Sequence, residues 1–333
     1  MINVVQIGVG YWGPNLLRNL VASKDFVVSG VIDLSPERRA YVQSQYPGLT
    51  VSDRLETAWE TAVDAVVIAT PAHTHADLIA TALQAGKHVF VEKPIATSVA
   101  AVDRIAALAA STGKVVMTGH TFLYNSAVRA LRQMIDDGEL GDVRYIYTQR
   151  LNLGQIRSDV DALWNLAPHD VSILQYLLRD PVASAITRNG MAYIQPGIED
   201  TTFLHIQYPG NVMANIHVSW LDPQKIRKVT VVGSKRMVVY DDMADHKLAI
   251  YDKGIDVEPR LGTSMDYDSP PPSRFVHRSG AVHMPAITYK EPLAVEMAHY
   301  AACIRGETAC ITNLAHAREV VRILETAASA SCP

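Results

Sequence analysis

Through about residue 120, short apolar runs alternate with longer segments of helical period, and this rhythm leaves the chain few architectures to choose from. The runs are Val4–Ile7, Val27–Ile32, Ala65–Ala69, His88–Val91 and Val115–Met117, and between them lie Asn15–Ala22, Pro36–Gln45, Ala76–Ala85 and Val99–Ala110. Strands joined through helices run parallel, because a parallel pair needs a crossover of a dozen residues or more. The Val and Ile content of the runs fits strands buried on both faces. A doubly wound parallel sheet is therefore expected over residues 1–121, an α/β unit with helices on both sides.

From Asp142 the texture changes. Val143–Leu151, Thr201–Gln207, Val212–Trp220, Lys228–Gly233 and Met237–Tyr240 read as strands linked by short Gly, Asn or Pro turns. Strands in succession without helices between them predict a second, α+β unit over residues 122–333, built on a large open, mostly antiparallel sheet. Helical patterns at Ser126–Asp136, Pro168–Leu178 and Pro292–Ile304 flank it, and a last one, Leu314–Ala330, suits either unit. Pro259–Tyr289 has weak periodicity and three consecutive prolines, Pro270–Pro272. It reads as a long loop presenting Arg274, His277 and Arg278 to a substrate or a neighbouring subunit, since long loops in compact domains usually have a task, and equally as a disordered surface excursion.

Composition narrows the class. With 333 residues, two domains are expected; 48% apolar and 19% charged residues describe an ordinary globular protein. A net charge of −4 offers no basic stripe for nucleic acid. Cys303, Cys310 and Cys332 form no paired framework and no zinc-like spacing, which favours a reducing cytoplasm and predicts no metal. The N-terminal residues enter a strand at once, without the pattern of a signal peptide, and no apolar run is long enough to predict a membrane span.

The first strand leads into Gly8-Val9-Gly10-Tyr11-Trp12-Gly13 and then a helix, and Asp33 ends the next strand twenty residues beyond Gly13. A G-x-G-x-x-G segment alone is weak; between strand and helix, followed by an acidic residue, it is the fingerprint of a Rossmann dinucleotide site. Gly8 permits the turn, Gly10 lets a pyrophosphate approach the backbone, and Gly13 lets helix and strand pack closely. The helix N-terminus offers free N–H groups to phosphate. Asp33 suits the two hydroxyls of an adenosine ribose and repels a 2′-phosphate, so NAD is expected over NADP, although Arg38 and Arg39 stand nearby.

Glu92-Lys93-Pro94 follows the strand His88–Val91, at the carboxyl end where ligands bind open parallel sheets. A lysine there can hydrogen-bond a reacting oxygen and favour its alkoxide character. Taken by itself, the triplet reads equally as a surface Glu–Lys pair ahead of a proline.

The glycine motif, Asp33, Ala69-Thr70-Pro71, Val91-Glu92-Lys93-Pro94, Gly119-His120-Thr121-Phe122, Gly138–Val143 and Trp164-Asn165-Leu166-Ala167-Pro168-His169-Asp170 together resemble the Gfo/Idh/MocA family of sugar and inositol oxidoreductases, over essentially the whole chain. The resemblance implies a Rossmann domain followed by a mixed domain whose open sheet often forms a subunit interface, hence a homodimer or homotetramer. It implies Lys93 as the catalytic lysine and His169 as the acid/base histidine. Read without it, His169 is a histidine at a helix start, just after a first-turn Pro168. Several members carry Asp where this chain has Asn165, which is assigned here to positioning the substrate. Thr70, Pro71, His75, Glu92 and Lys93 are expected at the cofactor with Gly8, Gly10, Tyr11, Trp12, Gly13 and Asp33; His120, Tyr124 and Arg150 are expected at the substrate.

The expected reaction is hydride transfer between NAD and a secondary alcohol carbon of a sugar-like substrate: a nucleotide sugar, an aminoglycoside sugar, a free pyranose or a cyclitol. Arg150, Arg157 and Arg188 suit a diphosphate; Asp159, Asp161, Glu199 and Asp200 suit a polyamine; both sets also read as solvated surface. Two other readings of the same residues are an NAD-using glycoside hydrolase and a silent NAD-binding regulator.

Overall fold

The computed structural model describes residues 1–259 and 273–329. Six strands form the first sheet: β1 (Ile2–Ile7), β2 (Phe26–Ile32), β3 (Val51–Ser52), β4 (Ala65–Ile68), β5 (His88–Glu92) and β6 (Val116–Gly119). All pair in parallel, in the order β3-β2-β1-β4-β5-β6. Helices α1 (Gly13–Ala22), α2 (Pro36–Gln45), α3 (His75–Gln84) and α4 (Val99–Thr112) make the crossovers. Every residue of β4 is buried, as a strand covered on both faces requires. The strand order reverses between β1 and β4, which opens a crevice at their carboxyl ends.

The second sheet has eight strands: β7 (Val143–Leu153), β8 (Ala185–Met191), β9 (Thr201–Tyr208), β10 (Val212–Ser219), β11 (Leu221–Gly233), β12 (Met237–Asp241), β13 (Leu248–Pro259) and β14 (Ser273–His283). Their order is β14-β13-β12-β11-β7-β10-β9-β8, antiparallel except where β10 lies beside β7. β9 alternates buried and outward residues along its length. Its inner face, with Ile146, Leu204, Ile206, Ile216 and Val218, packs under α6 (Ala162–Leu178). α5 (Ser126–Asp136) precedes β7.

The last two helices serve both sheets. α7 (Pro292–Ile304) brings Tyr300 against Phe26 and Phe90 of the first sheet, with ring centroids 6.1 and 5.7 Å away. α8 (Leu314–Ser329) ties to α4 through Arg318–Asp103 and Glu325–Val99, and to the second half through Glu319, which accepts from the Ala183 N–H. No described helix is long and apolar enough to cross a membrane.

Two expectations are corrected. Of the long loop expected over Pro259–Tyr289, Pro259 ends β13 and residues 273–283 form β14, so most of its described part is one arm of a hairpin. The hairpin is held by its ladder and by Arg278, which pairs with Asp252 and Asp256, rather than by apolar burial, and so has little periodicity to read. Arg274 pairs in register with Glu258 and His277 with Ile255, while Pro270–Pro272 lie outside the described residues. The second correction concerns α6, which starts at Ala162 and not at Pro168. Asp161 is its cap, accepting from the Trp164 N–H at 2.8 Å. Pro168 therefore sits inside the helix, where its missing N–H leaves one carbonyl of the preceding turn without its usual donor.

Candidate functional site

The turn after β1 is built for a phosphate. Gly8 has φ +93°, and a Cβ there would stand 2.6 Å from the Ala69 carbonyl oxygen, so only glycine fits. A Cβ on Gly13 would stand 2.7 Å from the Gly8 oxygen, whereas one on Gly10 would meet nothing within 4 Å. The backbone at Gly10 is thus open where a pyrophosphate would approach. Gln6, a polar residue inside the apolar first strand, donates to the carbonyls of both Gly8 and Gly13 at 2.9 Å and pins the turn. α1 has no side-chain cap and no acidic residue in its first turn, so its N–H groups and dipole remain available to an anion. Tyr11 and Trp12 stand exposed on the turn.

Asp33 ends β2 beside this turn. Its Oδ2 accepts from the Val9 N–H at 2.7 Å and its Oδ1 from the Ser35 N–H at 2.8 Å. Each oxygen retains acceptor capacity for a ribose hydroxyl. Arg39 is occupied elsewhere, donating to the carbonyls of Asp33 and Leu34 and pairing with Asp53. The turn, the free helix end and the carboxylate at this spacing fit an adenine dinucleotide.

His75, expected at the cofactor, is buried in the scaffold beneath it. Its Nδ1 lies 2.8 Å from the Pro94 carbonyl and its Nε2 2.9 Å from that of Thr70. Burial holds its pKa below the usual histidine range, and a neutral ring can donate to only one of the two. The ring ties the Thr70-Pro71 loop to the Lys93-Pro94 loop, so it acts on the cleft through both. Thr70 is half-buried and bonded to Thr74, and Pro71 is exposed.

Lys93 projects from the carboxyl end of β5, and its Nζ donates to the Asn165 backbone oxygen at 3.0 Å. Asn165 and His169 are four apart on α6, hence on one face of it. The two halves of the chain meet here. The Asn165 Oδ1 accepts from the Trp220 indole N–H at 3.3 Å, which fixes the amide's orientation. Burial pushes the Lys93 pKa down, against the attraction of Glu92, and pushes the Glu92 pKa up, against the attraction of Lys93. One Glu92 oxygen, Oε1, is buried without a partner.

His169 stands edge-on to Phe122, with ring centroids 5.1 Å apart, and its buried Nδ1 has no hydrogen-bond partner. Burial, then the positive charges of Lys93 and Arg150, hold its pKa well below 6.5. A neutral imidazole, able to take a proton, follows. His120 is buried nearby, its Nδ1 likewise unpartnered and its pKa held low mainly by burial.

Tyr124 and Arg150 depart from what the sequence suggested. Tyr124 is buried, with its hydroxyl against Thr312, and does not line an open cleft. Arg150 is bonded to Asp170 at 2.6 Å in a pair that is almost fully buried, and its guanidinium lies over Phe122 at 4.5 Å. It braces the helix that carries His169. Of the other charged residues, Asp200 is fully buried and accepts from the Tyr193 and Ile194 N–H groups, Arg188 pairs with Glu199, Arg157 pairs with Asp159 on the surface, and Asp161 caps α6. Sequence reasoning gave no role to Gln6 or Trp220 and left Asp170 as one residue of the family pattern; Gln6 left a signal, as a lone polar residue in a buried strand.

Residues 2–120 match a sequence model described as an oxidoreductase family with an NAD-binding Rossmann fold, and residues 128–239 match the GFO/IDH/MocA C-terminal domain. The chain is 29% identical to inositol 2-dehydrogenase 3 of Saccharopolyspora erythraea over 216 residues, covering 62% of this chain and 61% of that protein. It is 24% identical to the scyllo-inositol 2-dehydrogenase (NAD(+)) of Bacillus subtilis over 328 residues, 94% of this chain and 89% of that one. A solved oxidoreductase from Magnetospirillum magnetotacticum superposes with a TM-score of 0.82 at 26% identity, over 98% of this chain and 99% of its own. With the two domain models falling in succession on the two sheets, the chain belongs to the Gfo/Idh/MocA family of NAD-binding oxidoreductases.

Proposed function

We propose that the chain oxidises and reduces a secondary alcohol on a polyhydroxylated ring, a pyranose or a cyclitol, with NAD. The observation that carries this reading is the meeting of Lys93 with the Asn165–His169 face of α6, at the carboxyl end of β5. The inositol dehydrogenases among its relatives support a ring of hydroxyls as the substrate class. When bound, NAD accepts the hydride in one direction and returns it in the other. The glycine turn and Asp33 would hold the cofactor, with Thr70, Pro71 and Glu92 lining its path.

Lys93 donates a hydrogen bond to the reacting oxygen and stabilises the negative charge that develops on it. His169, neutral before the reaction, takes the hydroxyl proton and gives it back in reduction. Asn165, held by Trp220, orients a neighbouring hydroxyl. We divide the chain at residues 121/122, assign the second part to substrate binding and self-association, and place the protein in the cytoplasm, where its cysteines would stay reduced.

The test is NADH formation over a panel of pyranoses, nucleotide sugars, aminoglycosides and inositols. Lys93→Ala and His169→Ala should each lower turnover on the best substrate by roughly a hundredfold or more while NAD still binds. Near wild-type turnover in either variant would remove that residue from the mechanism. Bond cleavage without net NADH would instead favour a hydrolase, and silence across the panel a regulator.

A further inference from the structure

α7 carries His299 and Cys303 four residues apart, on one helical face, and the loop after it returns Cys310 to the same place. The Cys303 Sγ lies 3.4 Å from the His299 Nε2, and the three candidate ligand atoms all fall within 4.8 Å of one another. Cys303 is buried, while His299 and Cys310 are half-buried. None of the three belongs to the hydride-transfer site. The sequence shows no zinc-like spacing because two ligands share a helical turn and the third arrives by a loop.

We infer that His299, Cys303 and Cys310 form a binding site for a zinc-class divalent cation, two thiolates and one imidazole with a fourth position open to water. A tetrahedral ion at about 2.3 Å from sulfur and 2.0–2.1 Å from nitrogen sets these atoms roughly 3.5 Å apart. The separation of 3.4 Å is already close to that. The imidazole is in the right form. Its Nε2 accepts from the Ile311 N–H at 3.1 Å, which puts the ring proton on Nδ1 and leaves Nε2, the atom 3.4 Å from the Cys303 Sγ, unprotonated.

The ion must take over that lone pair from the Ile311 N–H, which lies between α7 and α8 and belongs to neither helix. Binding releases the two thiol protons to solvent and forms two metal–sulfur bonds and one metal–nitrogen bond. Sulfur ligands select zinc and its soft neighbours over magnesium and calcium, which require oxygen. The adjacent Thr312 carbonyl accepts from the Thr118 N–H of β6 at 3.1 Å, and β6 runs on to His120. A bound ion would clamp α7 to the strand that ends at the cleft.

Cobalt(II) added to the full chain, kept reduced with a phosphine, reports the site directly. One equivalent should produce a thiolate-to-cobalt charge-transfer band and the visible bands of tetrahedral cobalt, and zinc should bleach both. Cys303→Ser and Cys310→Ser should each weaken binding at least about tenfold, the loss that even outer-shell partners cost. Cys332→Ser should change nothing. Circular dichroism and NAD binding check that the variants fold, and if Cys303→Ser does not, Cys310→Ser decides. No charge-transfer band, a band of unchanged intensity and affinity after loss of either thiol, or a Cys303–Cys310 disulfide formed without metal uptake would overturn the assignment.

Discussion

At the scale of the residue, the site works by placing charge where water is scarce. Asp33 illustrates two tasks on one side chain: it fixes the Val9 N–H of the glycine turn, and in the proposed reading it also meets the cofactor's ribose. NAD should bind at least about tenfold tighter than NADP, a difference of about 1.4 kcal/mol, because a 2′-phosphate would meet this carboxylate. Asp33→Ala should weaken both cofactors by loosening the turn, so the informative number is their ratio, which should shrink. Calorimetry showing equal or tighter NADP binding by the unaltered chain would sink the idea.

The Glu92–Lys93 pair supplies a second prediction. Lys93 titrates below the usual lysine range because it is buried, and Glu92 partly offsets this by favouring the ammonium. If protonated Lys93 is required, the alkaline limb of kcat/KM lies below the ordinary lysine pKa. Glu92→Gln removes the attraction and should move that limb to lower pH. His169, also depressed, sets the acid limb below the usual histidine range, since only its neutral form takes the proton. A limb that stays in place or rises in Glu92→Gln would detach it from Lys93.

At the scale of the element, α6 matters most, because three partners from three directions fix it. Trp220 holds Asn165, Arg150 holds Asp170, and Ser172 is bonded to His316 of α8, whose other ring nitrogen meets Asp180. The last three resemble a hydrolytic triad in order, but Ser172 is fully buried, so they clasp α6 to α8. Asp170→Ala would strand the Arg150 guanidinium in the interior. Breaking a buried pair from one side typically costs about 3–5 kcal/mol. Denaturant unfolding should show a loss of that order, while NAD binding at the glycine turn, which Asp170 does not contact, persists. A change under about 1 kcal/mol would mean the pair is not what holds the helix.

Which elements were legible in the sequence follows from how each is stabilised. β1, β4 and the glycine turn announce themselves, because burial on both faces leaves a run of Val and Ile, and a strained turn leaves glycines. The β13–β14 hairpin does not: its outward Ile255, Val257 and Phe275 are exposed, and cross-strand hydrogen bonds and Arg278 carry it. The start of α6 was hidden by Pro168, which looks like a first-turn proline although Asp161 had already capped the helix. Lys93 and His169 were legible only as members of a longer pattern. Nothing local tells that Arg150 faces Asp170 and not a substrate, since that contact joins β7 to α6 through the interior.

At the scale of the whole molecule, the second sheet has one face under α6, and the outward side chains of β7, β9 and β10 on the other are largely exposed among the described residues. Outward along β7 stand Tyr145 and Tyr147, their rings stacked with centroids 6.4 Å apart. On β10, Met213 is in register with Tyr145 and Asn215 with Tyr147, and one outward position further along His217 stacks on Phe203 of β9 at 4.0 Å. Tyr145, Tyr147, Phe203 and Met213 are all exposed, and they lie on three neighbouring strands with Asn215, His205 and His217 between them. An aromatic-rich exposed face of this kind invites association, and a second copy offers the same face by symmetry. A stable contact needs about 800 Å² per partner, which a face of eight strands can supply. Light scattering at micromolar concentration should therefore give the mass of a dimer or tetramer. Tyr147→Glu combined with Phe203→Glu would bury like charges at the centre of the contact and should lower that mass toward the monomer, with circular dichroism unchanged. Both positions point outward, so the variant keeps its core and reads association alone. A monomeric parent chain would end the idea of a covered face, and an unaltered mass in the double variant would move the contact elsewhere.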